Sequence, residues 1–348
     1  MKTVNYSVVI AFLSVVSIFP HWAFAAEESE LTPAMENPGH EQVPDWFKVS
    51  FLDLHEDVAE AAENGKRVMV FFFQDGCPYC KKLLEDNFGQ REIADKTRKY
   101  FDVVTINIWG DREVTVGDKT LTEKKFAEAL KVQYTPTLMF FNENNKVVYR
   151  ANGYYPPEKF DTVLDYVGTH KEKEIDFQSY MARVDPQPST GKLHTGVINI
   201  KNPDNLREAL EPGKHLLVMF EQKLCASCDE LHTDIIKRPE SREMLSRLNV
   251  TLVDMWSHKE ITRPDGKKTK ISEWAKDLDI RYAPTLVYFN DEGVEVFRSD
   301  AYLKAFHMLS VMDYVSSNAY KKHPNFQRYI DIRADHLREE GVEVNLME

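Results

Sequence analysis

The chain has 348 residues, 43% of them hydrophobic and 29% charged, with a formal net charge of -12. That length suits about two domains, and the mix is that of a globular protein with real cores, which excludes wholesale disorder. An acidic surface without a basic stripe repels phosphate backbones, so no nucleic acid is expected as a partner.

In chain order, residues 1–25 read as a signal peptide. Lys2 supplies the positive start, Val8 to Phe19 is apolar apart from Ser14 and Ser17, and Ala23-Phe24-Ala25 offers the small-x-small cleavage pattern. No run of about 20 apolar residues occurs after it, so no membrane insertion is expected once it is removed. Residues 26–46 read as a loose leader carrying Pro33, Pro38, Gly39 and Pro44. The C-terminal sequence NLME is no endoplasmic-reticulum retrieval signal, which favours a bacterial envelope.

Asp57 to Glu63 then reads as a helix, and the apolar Arg67 to Phe73 as a buried strand. Cys77-Pro78-Tyr79-Cys80 follows. Pro78 sits at a first helical position, where its missing N–H costs nothing, and the helix runs through Lys81, Leu83 and Leu84. Val103 to Ile108 is a second strand and Glu123 to Leu130 a helix. Thr137 to Phe141 with Val147 to Tyr149 forms a hairpin, and Pro157 opens a last helix through Leu164.

The series then recurs. Cys77 and Cys225 lie 148 residues apart, as do Cys80 and Cys228, Gly65 and Gly213, Phe72 and Phe220, Gln74 and Gln222, Pro136 and Pro284, and Tyr154 and Tyr302. YTPTLMFFN at 134–142 faces YAPTLVYFN at 282–290. Such a series marks a duplicated domain of about 125 residues. The expected boundaries are 47–170 for the first copy, 171–194 for a linker around the turn-rich Asp185 to Gly191, and 195–319 for the second copy. Residues 320–348 form a charged C-terminal extension in which Tyr329 to Leu337 can dock as a short helix. Within the copies, 114–119 and 261–268 read as inserted hairpins.

All four cysteines fall in CxxC pairs. Structural disulfides usually join distant segments, whereas a CxxC closes too small a loop to stabilise a fold by much. Four thiolates could hold zinc, but each pair follows its own strand in its own copy, so no metal is expected. Redox work fits better. A cysteine at a helix N-terminus faces unpaired N–H groups and the positive dipole end, which favour thiolate. The thiolate attacks a disulfide, and the second cysteine, one turn on, resolves the mixed disulfide. Cys77 and Cys225 are the expected attacking residues, Cys80 and Cys228 the resolving ones. Lys81 and Lys82 follow Cys80 whereas Asp229 and Glu230 follow Cys228, so Cys77 is expected to be the more acidic nucleophile by about one unit or less. Lys81 and Asp229 also stand where covalent haem attachment needs histidine, and no cofactor is expected.

This order of elements resembles thioredoxin, and both copies are similar to thioredoxin-fold domains. That implies two tandem α/β domains, each a central mixed sheet flanked by helices. Cys77-Pro78-Tyr79-Cys80 is the tetrad of glutaredoxins and some periplasmic disulfide isomerases. Thr135-Pro136 and Ala283-Pro284 match the family's cis-proline loop, which implies that these four residues shape a substrate groove. It also implies that Cys77–Cys80 and Cys225–Cys228 are redox-active disulfides. NIWGDREVTVGDKTLTEKKFA and GYYPPEKFDTVLDYV more closely resemble periplasmic thioredoxin-like proteins associated with bacterial sulfur oxidation. The resemblance implies an exported, periplasmic thiol–disulfide oxidoreductase. Its partners would be cysteine-containing envelope proteins or small sulfur compounds, with a membrane electron conduit as reductant.

There are departures. Gly76 and Leu224 stand where thioredoxins carry tryptophan, and Phe71 and Met219 where they carry a buried aspartate that helps move the resolving cysteine's proton. Either proton transfer uses water, or another carboxylate such as Glu221 assists in the second copy. His232, four residues after Cys228, is expected to be solvated, and Trp109 and Trp256 to pack at strand ends. A binding or scaffold module on the same fold, or a metal-handling protein, stays open as the contrasting function.

Overall fold

A computed structural model describes residues 43–184, 189–300 and 303–345. The expected signal peptide, residues 26–42 of the leader and the turn at 185–188 lie outside them.

In the first copy Asp53 caps α1 (Leu54–Glu63), its side chain accepting from the N–H groups of His55 and Glu56. β1 (Arg67–Phe73) leads into α2 (Pro78–Lys82), which widens into a π-helical turn over Leu83–Phe88. α3 (Arg91–Tyr100), β2 (Phe101–Asn107) and a hairpin of β3 (Glu113–Val116) and β4 (Lys119–Thr122) follow. Then come α4 (Glu123–Ala129), β5 (Thr137–Phe141), β6 (Val147–Asn152), α5 (Pro157–Gly168) and α6 (Phe177–Val184). The second copy repeats the plan. β7 (Leu216–Glu221) is followed by α7 (Ala226–Glu230) and a π-helical turn over Leu231–Ile235, then by α8 (Pro239–Ser246) and β8 (Asn249–Asp254). The hairpin is β9 (Glu260–Thr262) with β10 (Lys268–Lys270), and α9 (Ile271–Asp277) comes next. β11 (Thr285–Phe289), β12 (Glu295–Ser299), α10 (Ala305–Ser316) and α11 (Phe326–Glu339) complete the chain. Both inserted segments are hairpins.

The two sheets have the same order, β2-β1-β5-β6 and β8-β7-β11-β12. β1 runs parallel to β2 and antiparallel to β5, as β7 does to β8 and β11. Helices cover both faces of the inner strands, which is why Val68 to Phe72 and Leu216 to Phe220 are unbroken apolar runs with no exposed surface. The repeat extends to single hydrogen bonds. Arg150 donates to the carbonyl of Leu130 at 2.7 Å, and Arg298, 148 residues on, to that of Leu278 at 2.7 Å. Thr137 Oγ1 donates to Tyr134 O at 2.7 Å, and Thr285 Oγ1 to Tyr282 O at 2.6 Å.

Two helices extend the cores beyond the repeat. α6 lies inside the stretch read as linker, where buried Phe177 packs on Tyr149 and Tyr166 with ring centroids 4.7 and 5.2 Å away. α11, in the C-terminal extension, buries Phe326, Tyr329 and Ile330. Phe326 meets Phe297 and Tyr314, both at 5.1 Å, and also Tyr134 of the first copy at 5.8 Å. The copies are further joined by Asn152, which donates to Asp300 at 2.6 Å, and by Arg328 lying 4.7 Å over the Trp109 ring. Phe326→Ala should therefore cost about 3–5 kcal/mol in urea unfolding, the usual price of emptying a buried phenyl site. A loss below about 1 kcal/mol would mean that α11 is not part of the core.

Candidate functional site

Each cysteine pair begins a helix directly after a central strand. In the first copy the turn is made by Gly76, whose φ of +73° suits a residue without a Cβ. Leu224 takes that place in the second copy and is 69% exposed, so the two approaches differ in shape. Cys77 and Cys80 are joined, as are Cys225 and Cys228, with 5.2 Å between Cα atoms in each pair. Cys77 Sγ accepts from the Cys80 N–H at 3.0 Å, and Cys225 Sγ from the Cys228 N–H at 3.0 Å. Those N–H groups stabilise a thiolate when the disulfide opens.

The proline loops close the other side. The Thr135–Pro136 and Ala283–Pro284 peptide bonds are cis. The carbonyl oxygen of Thr135 lies 3.5 Å from Cys77 Sγ, and that of Ala283 lies 3.6 Å from Cys225 Sγ. All eight residues singled out in the sequence thus gather at two equivalent places. Among the described residues no group of three or more histidine, cysteine or carboxylate side chains is arranged to hold a metal ion.

The flanking charges are largely engaged elsewhere. Lys82 pairs with Asp86 at 2.5 Å, and Lys304 with Glu230 at 3.2 Å. Asp229 accepts from the Thr190 N–H at 2.7 Å and hydroxyl at 2.6 Å, and His194 Nε2 lies 2.6 Å from it. Although its own burial opposes this, those bonds hold the Asp229 carboxyl down at about 2, so it stays ionised. The neighbouring Ser189 hydroxyl accepts from the Cys225 N–H at 3.0 Å, so the chain entering the second copy lies against its cysteine helix.

Two expectations are corrected. His232 is not solvated: it is 6% exposed, and its Nε2 lies 2.7 Å from Oε1 of fully buried Glu221. Position along one helix could not show that strand β7 ends beneath it. Comparing the copies gives the missing signal, because the apolar Phe73 and Leu84 become Glu221 and His232 at the same 148-residue offset. Trp256 is also not packed away but 51% exposed, with its indole N–H donating to Gln222 at 2.9 Å. Trp109, half-buried, makes the matching bond to Gln74 at 2.8 Å.

Between the copies lies a cleft of about 880 Å³. Tyr79 from the first CxxC, Ala226 and Ser227 from the second, and Thr135 and Tyr282 beside the two prolines all line it. His307 lines it too, with its ring 5.7 Å from that of Tyr79. Burial holds the His307 imidazole down at about 4, so it is neutral at pH 7. The unfolded chain takes up this proton near pH 6.5 and the folded chain only near 4, so stability falls as pH falls through that window. His307→Gln should remove about 1–2 kcal/mol of the stability lost between pH 7.5 and 5, allowing for partial solvation. Urea unfolding at the two pH values checks this; an unchanged difference would exclude His307 as its source.

Fold and site together define a protein of two tandem thioredoxin-like domains, each with a CxxC pair. The model of the thioredoxin-like domain family matches residues 54–168 and 203–316, and the chain belongs to that family. It is 23% identical to mouse protein disulfide-isomerase A5 over 226 residues, which are 62% of this chain and 38% of the mouse protein. The bovine protein of that name is 22% identical over 219 residues, 61% of this chain and 37% of its own. A solved thioredoxin-fold protein from Helicobacter pylori shares 24% identity over 38% of this chain and 90% of its own, with a TM-score of 0.31.

Proposed function

We propose that the protein is an exported, periplasmic thiol–disulfide oxidoreductase acting on cysteine-containing envelope proteins or small sulfur compounds. One observation carries the reading: each copy sets a closed CxxC pair at a helix start, against the carbonyl that precedes a cis-proline. Membership of the thioredoxin-like family supports it. In the reduced protein the Cys77 or Cys225 thiolate attacks a partner disulfide, and one partner sulfur leaves as thiolate. Cys80 or Cys228 then attacks the mixed disulfide, closing the CxxC pair and releasing the second partner sulfur. Two electrons pass to the partner, and a membrane electron conduit restores the dithiols. Thr135-Pro136 and Ala283-Pro284 shape the groove, whose free backbone pairs with an extended substrate segment. Cys77 is the dominant nucleophile, because Lys81 and Lys82 follow its partner Cys80 whereas Asp229 and Glu230 follow Cys228.

The reduced protein should reduce a model protein disulfide, with more than half of the rate lost in Cys77→Ala and all of it in Cys77→Ala/Cys225→Ala. Cys80→Ala and Cys228→Ala should accumulate mixed disulfides in the periplasm, and mass spectrometry identifies what they hold. A double variant as active as the parent, or neither single variant trapping a partner, would overturn the reading.

A further inference from the structure

The second cysteine helix rests on an ionisable pair that stands where the first copy carries apolar residues. At the end of β1 the ring of Phe73 lies 5.7 Å from that of Phe71, and Leu84 stands in the turn after Cys80. The same places in the second copy hold Glu221 and His232, bonded at 2.7 Å, with side chains 0% and 5% exposed. Glu221 Oε2 is buried without a hydrogen-bond partner.

Burying such a pair is seldom a gain in stability over an apolar pair of similar volume, and the first copy shows that an apolar pair fills these positions. Both positions differ between the copies, and both flank the reactive pair. Glu221 stands four residues before Cys225, and His232 one helical turn beyond Cys228, a spacing that sets two helical residues on one face.

The other charged groups around the pair are already engaged. The His194 ring stacks on that of His232 at 4.5 Å, with its Nε2 turned to ionised Asp229 at 2.6 Å. Asp254, the β8 partner of Glu221 in register, accepts from the Trp256 N–H at 3.1 Å. Glu230 is paired with Lys304.

Resting on the oxidoreductase reading above, we propose that the Glu221–His232 pair is the proton acceptor for the resolving cysteine of the second site, at positions where the first site carries Phe73 and Leu84. The Cys228 S–H gives its proton to the His232 imidazole, and Glu221 holds the imidazolium that forms. The Cys228 thiolate attacks Cys225 Sγ, the new S–S bond forms, and the bond from Cys225 to the partner breaks. The partner sulfur leaves with the electron pair and takes up the proton. The dithiol is oxidised and the partner disulfide reduced, two electrons each.

The test uses the full chain carrying Cys77→Ala/Cys80→Ala, reduced, against an aromatic disulfide whose thiolate is coloured. The first coloured thiolate reports attack by Cys225 and the second reports resolution by Cys228. The parent should show two phases, the second depending on pH because it needs a proton acceptor. Glu221→Phe/His232→Leu installs the first copy's residues. It should slow the second phase at least about tenfold at neutral pH and change its pH profile, while leaving the first phase within about twofold. Glu221→Gln keeps the shape but cannot carry charge, and should likewise slow the second phase without slowing the first. A second phase whose rate and pH profile match the parent's in the double variant would overturn this inference alone. A parent without a first phase would remove the second site from the exchange reading as well.

Discussion

The two cysteine sites depend on one strand pairing, β1 beside β5 and β7 beside β11. The registers set Phe72 opposite Thr137 and Phe220 opposite Thr285. Because the strands are antiparallel, the end of one that feeds the cysteine helix adjoins the start of the other, where the proline loop enters. Each attacking sulfur therefore meets a backbone carbonyl at about the same distance in both copies, 3.5 and 3.6 Å. Neither helix nor loop could hold that distance alone, both being short. The rigid inner strands do so, and their burial is the largest favourable term available.

Much of this was legible in the sequence. The 148-residue offset exposed the duplication, and apolar runs bounded by proline and glycine located β1, β5 and the α5 start. The cysteines and prolines were legible because chemistry restricts which residues can stand there. What escaped notice was tertiary. α6 is a short helix whose only buried residue is Phe177, and it reads as linker until the rings of Tyr149 and Tyr166 are brought to it by other strands. His232 reads as a surface residue because nothing local reveals that Glu221 lies beneath it.

The copies also differ in what surrounds equivalent atoms. Arg67, buried at the start of β1, donates to the carbonyl of Val167 at 2.7 Å, whereas its counterpart His215 lies 3.1 Å from the hydroxyl of Tyr320. The backbone frame is kept while the groups that hold it have diverged. The same divergence around the CxxC helices makes the sites two versions of one design, facing a common cleft through Tyr79 on one side and Ala226 with Ser227 on the other.

The Ser189 hydroxyl on the Cys225 N–H has a consequence for access. That N–H stands at the start of the second cysteine helix, and the chain arriving from the first copy occupies it. Thr190 and His194 fasten the same stretch to Asp229. One flank of the second site is thus walled by its own polypeptide. A molecule reaching Cys225 either comes from the open side or first displaces a hydroxyl already bonded there, so the connection between the copies also sets the direction from which the second site is entered.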